Sequence, residues 1–348
     1  MGVNLSDIVP VQTMELEGLS GQRLAIDAYN AIYQFLSIIR GPDGTPLKDS
    51  RGRVTSHLAG LLYRNINLLE AGVRPAYVFD GHPHLMKTQT LVERSERRSK
   101  AHDEWKEAIT EGDMERARSK AMQSSRINNE IVESSRMLLT YLGIPVIQAP
   151  EEGEAQAAYM AMKGDVWAAS SQDYDSLLFG APRLVRNLNI TGRRKMPGGR
   201  EYRDVHIEVV ELAKVLEVNG LESREQLIDM CIMIGTDYNP GIRGIGPKKG
   251  LKLIKENGTL ERALQAAGQS IPDSEVIREI FLHGERLDDY RLEWRDPQRD
   301  RIVSFMCDEH GFSEQRINSA LDRLERKKPA KRAESMPASQ SSLDRWGS

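Results

Sequence analysis

The sequence has almost no cysteine: Cys231 and Cys307 stand far apart in 348 residues, in neither a disulfide framework nor a zinc-ligand spacing. This excludes a stapled secreted scaffold and a thiolate metal centre, leaves both residues to core packing, and fits a reducing compartment. An excess of one charge is also missing. With 48 basic and 51 acidic residues the formal net charge is −3, so no global basic field announces a nucleic-acid partner, and such binding has to come from local patches. No apolar run approaches the length of a bilayer span, and the N-terminus lacks the charged-then-apolar pattern of a secretory signal; the expectation is a soluble, intracellular protein with no membrane partner. Met1-Gly2 with Ser6 matches the loose N-myristoylation pattern, but no basic patch follows to add the second anchoring signal, so lipidation is not expected. There is no internal repeat.

What is present is enough apolar sequence to build the core of one large α/β domain or two smaller ones. RLAIDAY (23–29), RPAYVFDG (74–81), IPVIQAP (144–150) and DVWAASSQDYD (165–175) read as strands, each a short apolar or β-rich run that ends in polar or turn residues. Helical spacing lies between them, notably from Thr55 to Ala71 and from Asn128 to Leu142. This alternation predicts a mostly parallel central sheet covered by helices on both faces, with its chemistry at the carboxyl ends of the strands. From about Lys87 to Arg126 the chain is dense in charge of both signs, which fits a solvated helical insertion. From Asp204 to about Arg326 the pattern is mostly helical, broken by glycines at 241–250; after Arg326 it reads as a flexible polar tail.

Asp27 closes LAID, Asp80 closes AYVFD, Glu152 and Glu154 follow IPVIQAP, and Asp173 and Asp175 follow VWAASSQ. A parallel sheet would collect all six along one edge, and Asp237, at the end of an apolar helical run in IGTDY, would join them as a seventh. Any one of them alone has an ordinary explanation as a helix cap or solvated strand end. Together they would repel one another unless a cation held them. An all-oxygen set suits a hard divalent ion such as magnesium or manganese and poorly suits zinc, and two such ions about 4 Å apart are the usual device for in-line phosphodiester hydrolysis. Asp173-Tyr174-Asp175 also matches the D-x-D metal site of nucleotide-sugar transferases, a reading that leaves Asp27, Asp80, Glu152 and Glu154 unexplained.

GIRGIGPKKGLKLIKENG (241–258) sets Gly241, Gly244 and Gly246 before Pro247, which reads as the first residue of a helix, with Lys248, Lys249 and Lys252 in its first turns. Small residues and free helix-start N–H groups favour a phosphate, as in helix-hairpin-helix modules that grip a DNA backbone without reading bases. Lys87, Arg94, Arg97, Arg98 and Lys100 are interleaved with acids and read by composition as a solvated helix face. TGRRKMPGGR (191–200) is a second basic patch, read as a loop.

With the carboxylates and the hairpin together, the chain resembles the flap endonucleases, structure-specific 5′ nucleases of the Rad2/XPG group. The resemblance runs from MGVNLSDIV to about Arg326 and takes in AIDAYNAIYQFL, YVFDGHPHLMK, ERSERR, QAPEEGEAQAA, SSQDYDSLLFG and IGTDYNPGIRGIGPKKG in order. It implies a PIN-like 5′ nuclease fold, with residues 1–326 a single nuclease domain that carries a helical arch at about 87–130 and the hairpin element at about 228–257, followed by a tail at 327–348. It implies hydrolysis of 5′-flap DNA, with 5′-3′ exonuclease activity, in Okazaki fragment processing and repair. Two magnesium ions, with manganese as a substitute, would sit on Asp27, Asp80, Glu152, Glu154, Asp173, Asp175 and Asp237, Asp27 acting through water. Lys87 and Arg94 would reach from the arch to the scissile phosphate, Tyr33 would stack on the adjoining base, and Arg40 would lie near the duplex junction. Gly2 would belong to a buried, DNA-proximal start of the chain, and Gly244, Gly246, Lys248 and Lys249 would hold the downstream strand with a potassium ion. In QSSLDRWGS, Gln340, Leu343 and Trp346 resemble a sliding-clamp docking motif whose usual second aromatic is replaced by Gly347. The short tail resembles archaeal members, for which a monomer in the cytoplasm, at the nucleoid, is expected; a eukaryotic member would be nuclear.

Overall fold

The computed structural model describes residues 2–41, 43–189, 192–195 and 202–327. The tail residues Gln340, Leu343 and Trp346 lie outside them. Among the described residues nine strands form: β1 (Gln12–Met14), β2 (Arg23–Asp27), β3 (Arg74–Phe79), β4 (Val146–Gln148), β5 (Ala168–Ser170), β6 (Arg183–Arg186), β7 (Gly192–Lys195), β8 (Tyr202–Val205) and β9 (Ile207–Glu211). Seven make one mixed sheet in the order β1-β9-β6-β5-β2-β3-β4, and β7 pairs with β8 in a separate antiparallel ribbon. Strands β4, β3, β2, β5 and β6 are mutually parallel, while β9 runs antiparallel to both β6 and β1.

Alternation of side chains along each strand divides the core in two. Leu24, Ile26, Tyr77, Phe79 and Val185 face one apolar layer, closed by helices Ala28–Ile38 and Ser56–Glu70. Ala25, Ala76, Val78, Ala169 and Leu184 face the other, closed by helices Gly153–Met162 and Arg224–Ile234. Strands buried on both faces explain why the four predicted ones read as apolar runs.

Three expectations are corrected. The basic stretch read as a loop supplies strand β7 at Gly192–Lys195. The region after Asp204 is not helical at its start, because β8 ends there and β9 follows. Between helix Ser274–His283 and helix Arg299–Val303 the chain has no regular structure. It is laid across the second core layer, where the buried Gln156 amide bonds both backbone groups of Leu287 at 2.9 and 2.7 Å, and Trp294 Nε1 donates to the Pro75 carbonyl at 2.6 Å.

Two helices, Thr88–Glu111 and Met114–Gln123, rise from the sheet edge as a hairpin turned by Gly112 and capped by Asp113, whose carboxylate accepts from Arg116 N at 3.0 Å. The only residues buried within these helices are Ala101, Ala108, Ala117 and Ala121. Ion pairs from Lys120 to Glu104 and from Arg116 to Glu107 and Glu111 complete the seam. Among the described residues no helix is long and apolar enough to cross a membrane.

Candidate active site

Four of the five parallel strands, β2, β3, β4 and β5, are followed at their carboxyl ends by acids that serve the same edge. Asp27 ends β2 and caps the next helix, accepting from Asn30 N at 3.0 Å. Asp80 follows β3 and accepts from Gly153 N at 2.7 Å, at the positive end of helix Gly153–Met162. Glu152 and Glu154 flank the start of that same helix, and Asp173 and Asp175 stand in the turn after β5. Asp237 arrives from elsewhere, in the tight turn after helix Arg224–Ile234 where Thr236 N bonds the Asn239 carbonyl.

These residues surround a cavity of about 700 Å³, whose lining contains Asp27, Asp80, Glu152, Glu154, Asp173 and Asp237, together with Glu151, and neither histidine nor cysteine. Asp175 lies beneath, buried, and accepts from Val3 N at 2.9 Å, while Gly2 N donates to Asp173 at 3.2 Å. A β-carbon on Gly2 would stand 2.5 Å from the Asp175 carboxylate, so only glycine allows the chain start this close.

The electrostatics record the crowding. Burial and the neighbouring Asp80 and Asp173 hold the Asp27 carboxyl well above its ordinary range. Burial and Glu152 push Asp80 up to about 6, and burial with Asp237 and Asp173 pushes Asp175 up to about 7. Glu154 is raised by burial and by Asp175, Asp27 and Asp173. Asp237 is held low: against its burial, Lys87 and Arg94 stabilise the charged form.

Those two cations come from the arch. Lys87 Nζ sits 2.5 Å from Glu152 and 3.3 Å from Asp237, and Arg94 pairs with the other oxygen of Asp237. Their side chains are only 13% and 22% exposed, so the reading of this segment as a solvated face fails for both. Arg97 and Arg98 line the same cavity, and Arg98 stands 5.4 Å over the ring of Tyr33. As the side chains stand, no three acids, histidines or cysteines among the described residues are arranged to hold an ion; Lys87 and Arg94 supply the countercharge. The donor set nevertheless fits a hard divalent ion: all oxygen, buried, and mutually repelling where the two side-chain cations do not reach.

Arg40 lies apart from the cavity lining. Its guanidinium donates to the Leu36 and Gly44 carbonyls and to Ser125 Oγ, tying helix Ala28–Ile38 to the foot of the arch. Gly244 and Gly246 follow the Asp237 turn, in the stretch that leads into helix Pro247–Asn257. Gly244 has φ +85°, and a β-carbon at either would enter open space, leaving room for a backbone or ion to approach. Gly246 precedes Pro247 at the first position of helix Pro247–Asn257, and Lys248 and Lys249 are exposed on its first turn. Sequence reasoning missed Tyr29, Asn30 and Glu151, which also line the cavity. For Asn30 a signal existed: three residues after Asp27 on a helix is the same face.

Residues 2–101 match the XPG N-terminal domain and residues 143–237 the XPG I-region. Flap endonuclease 1 of Thermococcus onnurineus is 52% identical over 347 residues, covering 99% of each chain. The chain belongs to the flap endonuclease family. Flap endonuclease 1 of Methanothrix thermoacetophila is 53% identical over 99% of this chain and 100% of its own. The solved flap endonuclease-1 of Methanococcus jannaschii superposes with a TM-score of 0.74 at 40% identity, over 94% of this chain and 98% of that one. The sheet is therefore that of the PIN-like 5′ nucleases, and the chain is a structure-specific nuclease of replication and repair that uses a divalent metal.

Proposed function

We propose that this flap endonuclease cuts 5′ flaps with two magnesium ions held by Asp27, Asp80, Glu152, Glu154, Asp173, Asp175 and Asp237. The observation that carries the reading is the single cavity on which six of these acids converge with Lys87 and Arg94. When bound, the ions supply an activated water and neutralise charge on the departing oxygen. The residues do the rest. Lys87 and Arg94 leave their carboxylate partners to hold the scissile phosphate between arch and sheet, a bidentate or point-charge contact that strengthens as charge develops. Tyr33 exchanges Arg98 for the flanking base. The glycines and lysines of the hairpin hold the downstream duplex by its backbone, with a potassium ion in the open space beside Gly244 and Gly246, and Arg40 borders the junction. Recognition is of shape and phosphate, and hence falls steeply with salt. The tail, through Gln340, Leu343 and Trp346, docks the monomer on a sliding clamp.

The test incubates a labelled 5′-flap duplex, the same duplex without a flap, and a 3′-flap duplex with magnesium or manganese. Cutting at the 5′-flap junction alone, lost on chelation, is expected; equal cutting of all three, or none, refutes the reading. For the tail, a clamp pull-down should succeed with the full chain and fail with a chain ending at Pro337.

A further inference from the structure

The turn that carries Asp173 is held by two side chains that the catalytic reading leaves unused. The hydroxyl of Ser171, 5% exposed, donates to Glu154 Oε1 at 2.5 Å and accepts from Asp173 N at 3.2 Å. One residue away, Gln172 N donates to Asn30 Oδ1 at 3.3 Å. Asn30 is itself tied to Asp27 through its backbone N–H, and its side-chain oxygen also accepts from the Gln34 amide, which is buried. Two successive amides are thus anchored to the elements that carry two other acids: Gln172 N to the helix begun by Asp27, and Asp173 N, through Ser171, to Glu154 itself.

We propose that Ser171 and Asn30 are positioning residues that fix the spacing of Asp27, Glu154 and Asp173, and so set the affinity of the site for its divalent ions. The physical need is plain. Glu154, Asp27 and Asp173 repel one another across a buried site, and the arch cations contact Glu152 and Asp237 instead. Left to their repulsion, these three would splay when the site is empty and have to be drawn back on binding. A hydroxyl and an amide are suited to resist that, because both bond a backbone N–H or a carboxylate without adding a charge that would compete with the ion. The hydroxyl has one proton to give, and it gives it to Glu154; its lone pair takes the Asp173 amide, so the two acids are held by opposite sides of one atom.

This inference rests on the metal-site reading above, and the experiment separates the two. Manganese binding to the DNA-free protein is measured by electron paramagnetic resonance or calorimetry for wild type, Ser171→Ala, Ser171→Thr and Asn30→Ala, alongside kcat, KM for a 5′-flap duplex, and thermal unfolding. No manganese binding by wild type would sink the metal-site reading itself. Given wild-type binding, Ser171→Ala should weaken it about tenfold and lower kcat by about 10- to 100-fold, the usual size of effect for an outer partner of a metal ligand, with KM little changed. Ser171→Thr, which keeps the hydroxyl, should recover most of the loss. Asn30→Ala should act in the same direction through the adjoining amide, and supplies the test if Ser171→Ala does not fold. Unchanged manganese affinity in both alanine variants, or equal impairment by alanine and threonine at 171, would overturn the proposal; so would a loss of kcat that only follows a fall in melting temperature.

Discussion

The carboxylate edge of the sheet and the cationic hairpin above it are built to opposite specifications. The acids are drawn from positions as far apart as Asp27 and Asp237, and four of the seven are tied to backbone amides: Asp27 to that of Asn30, Asp80 to that of Gly153, Asp173 to that of Gly2 and Asp175 to that of Val3. The cations Lys87 and Arg94 lie within eight residues, Lys87 just before and Arg94 on a helix whose only buried side chains are alanines shared with its partner helix. Like charges need a rigid frame to be kept together, because nothing in their own interaction favours it. Cations that must pass between protein carboxylates and a substrate phosphate need the reverse, a mount that moves at small cost.

Four experiments sharpen or break that contrast. Asp175→Ala removes an acid from the fixed side. Cleavage of a 5′ flap should fall by about a thousandfold or more while flap binding, read by anisotropy in calcium, stays near wild type. Residual cutting near the wild-type rate would end the assignment. On the movable side, Arg94→Ala and Lys87→Ala should each cost about 100-fold in single-turnover rate, the size of effect found for one transition-state donor, with little change in Kd. A loss confined to Kd would make them docking residues. The double variant of Lys248→Ala with Lys249→Ala should leave the single-turnover rate alone, weaken binding about tenfold, and lower the slope of log K against log salt by about two. Last comes the fold beneath the site. His57 is buried on helix Ser56–Glu70, one ring nitrogen bonded to Ser134 and the other unpartnered, and burial with His310 nearby pulls its pKa down to about 3. Between pH 6.5 and 3 the unfolded chain therefore takes up a proton that the folded one refuses. The stability that neutral His57 contributes is present above pH 6.5 and drains away as pH falls towards 3. His57→Leu should accordingly gain about 3 kcal/mol on wild type between pH 7.5 and pH 4.5 in denaturant titrations; parallel pH profiles would contradict this.

How much of this was legible beforehand depended on burial. The parallel strands β2 to β5 could be read because both faces are covered, which forces a continuous apolar run that stops where the acid begins. Strands β1, β6 and β9 could not. QTM is three residues at an edge, two of them polar; RLVR and IEVVE are interrupted by charges, of which Arg186 pairs with Glu208 across the sheet at 2.8 Å. The acids were recognisable as a set from their shared position after strands. Lys87 and Arg94 were hidden from composition, since their neighbours in sequence are solvated; only the resemblance to known nucleases singled them out. Ser171 gave no signal at all, because a serine beside a strand end is ordinary until the carboxylate across from it is known.

The alanine seam of the hairpin has a last consequence, in hydrogen exchange. Parting two helices that meet through methyl groups and exposed ion pairs leaves no large void and strands no buried polar group, so the amides of Thr88–Glu111 and Met114–Gln123 should exchange through a local opening far cheaper than global unfolding. Those of β2 and β3, walled by Tyr77 and Phe79, should wait for the whole molecule.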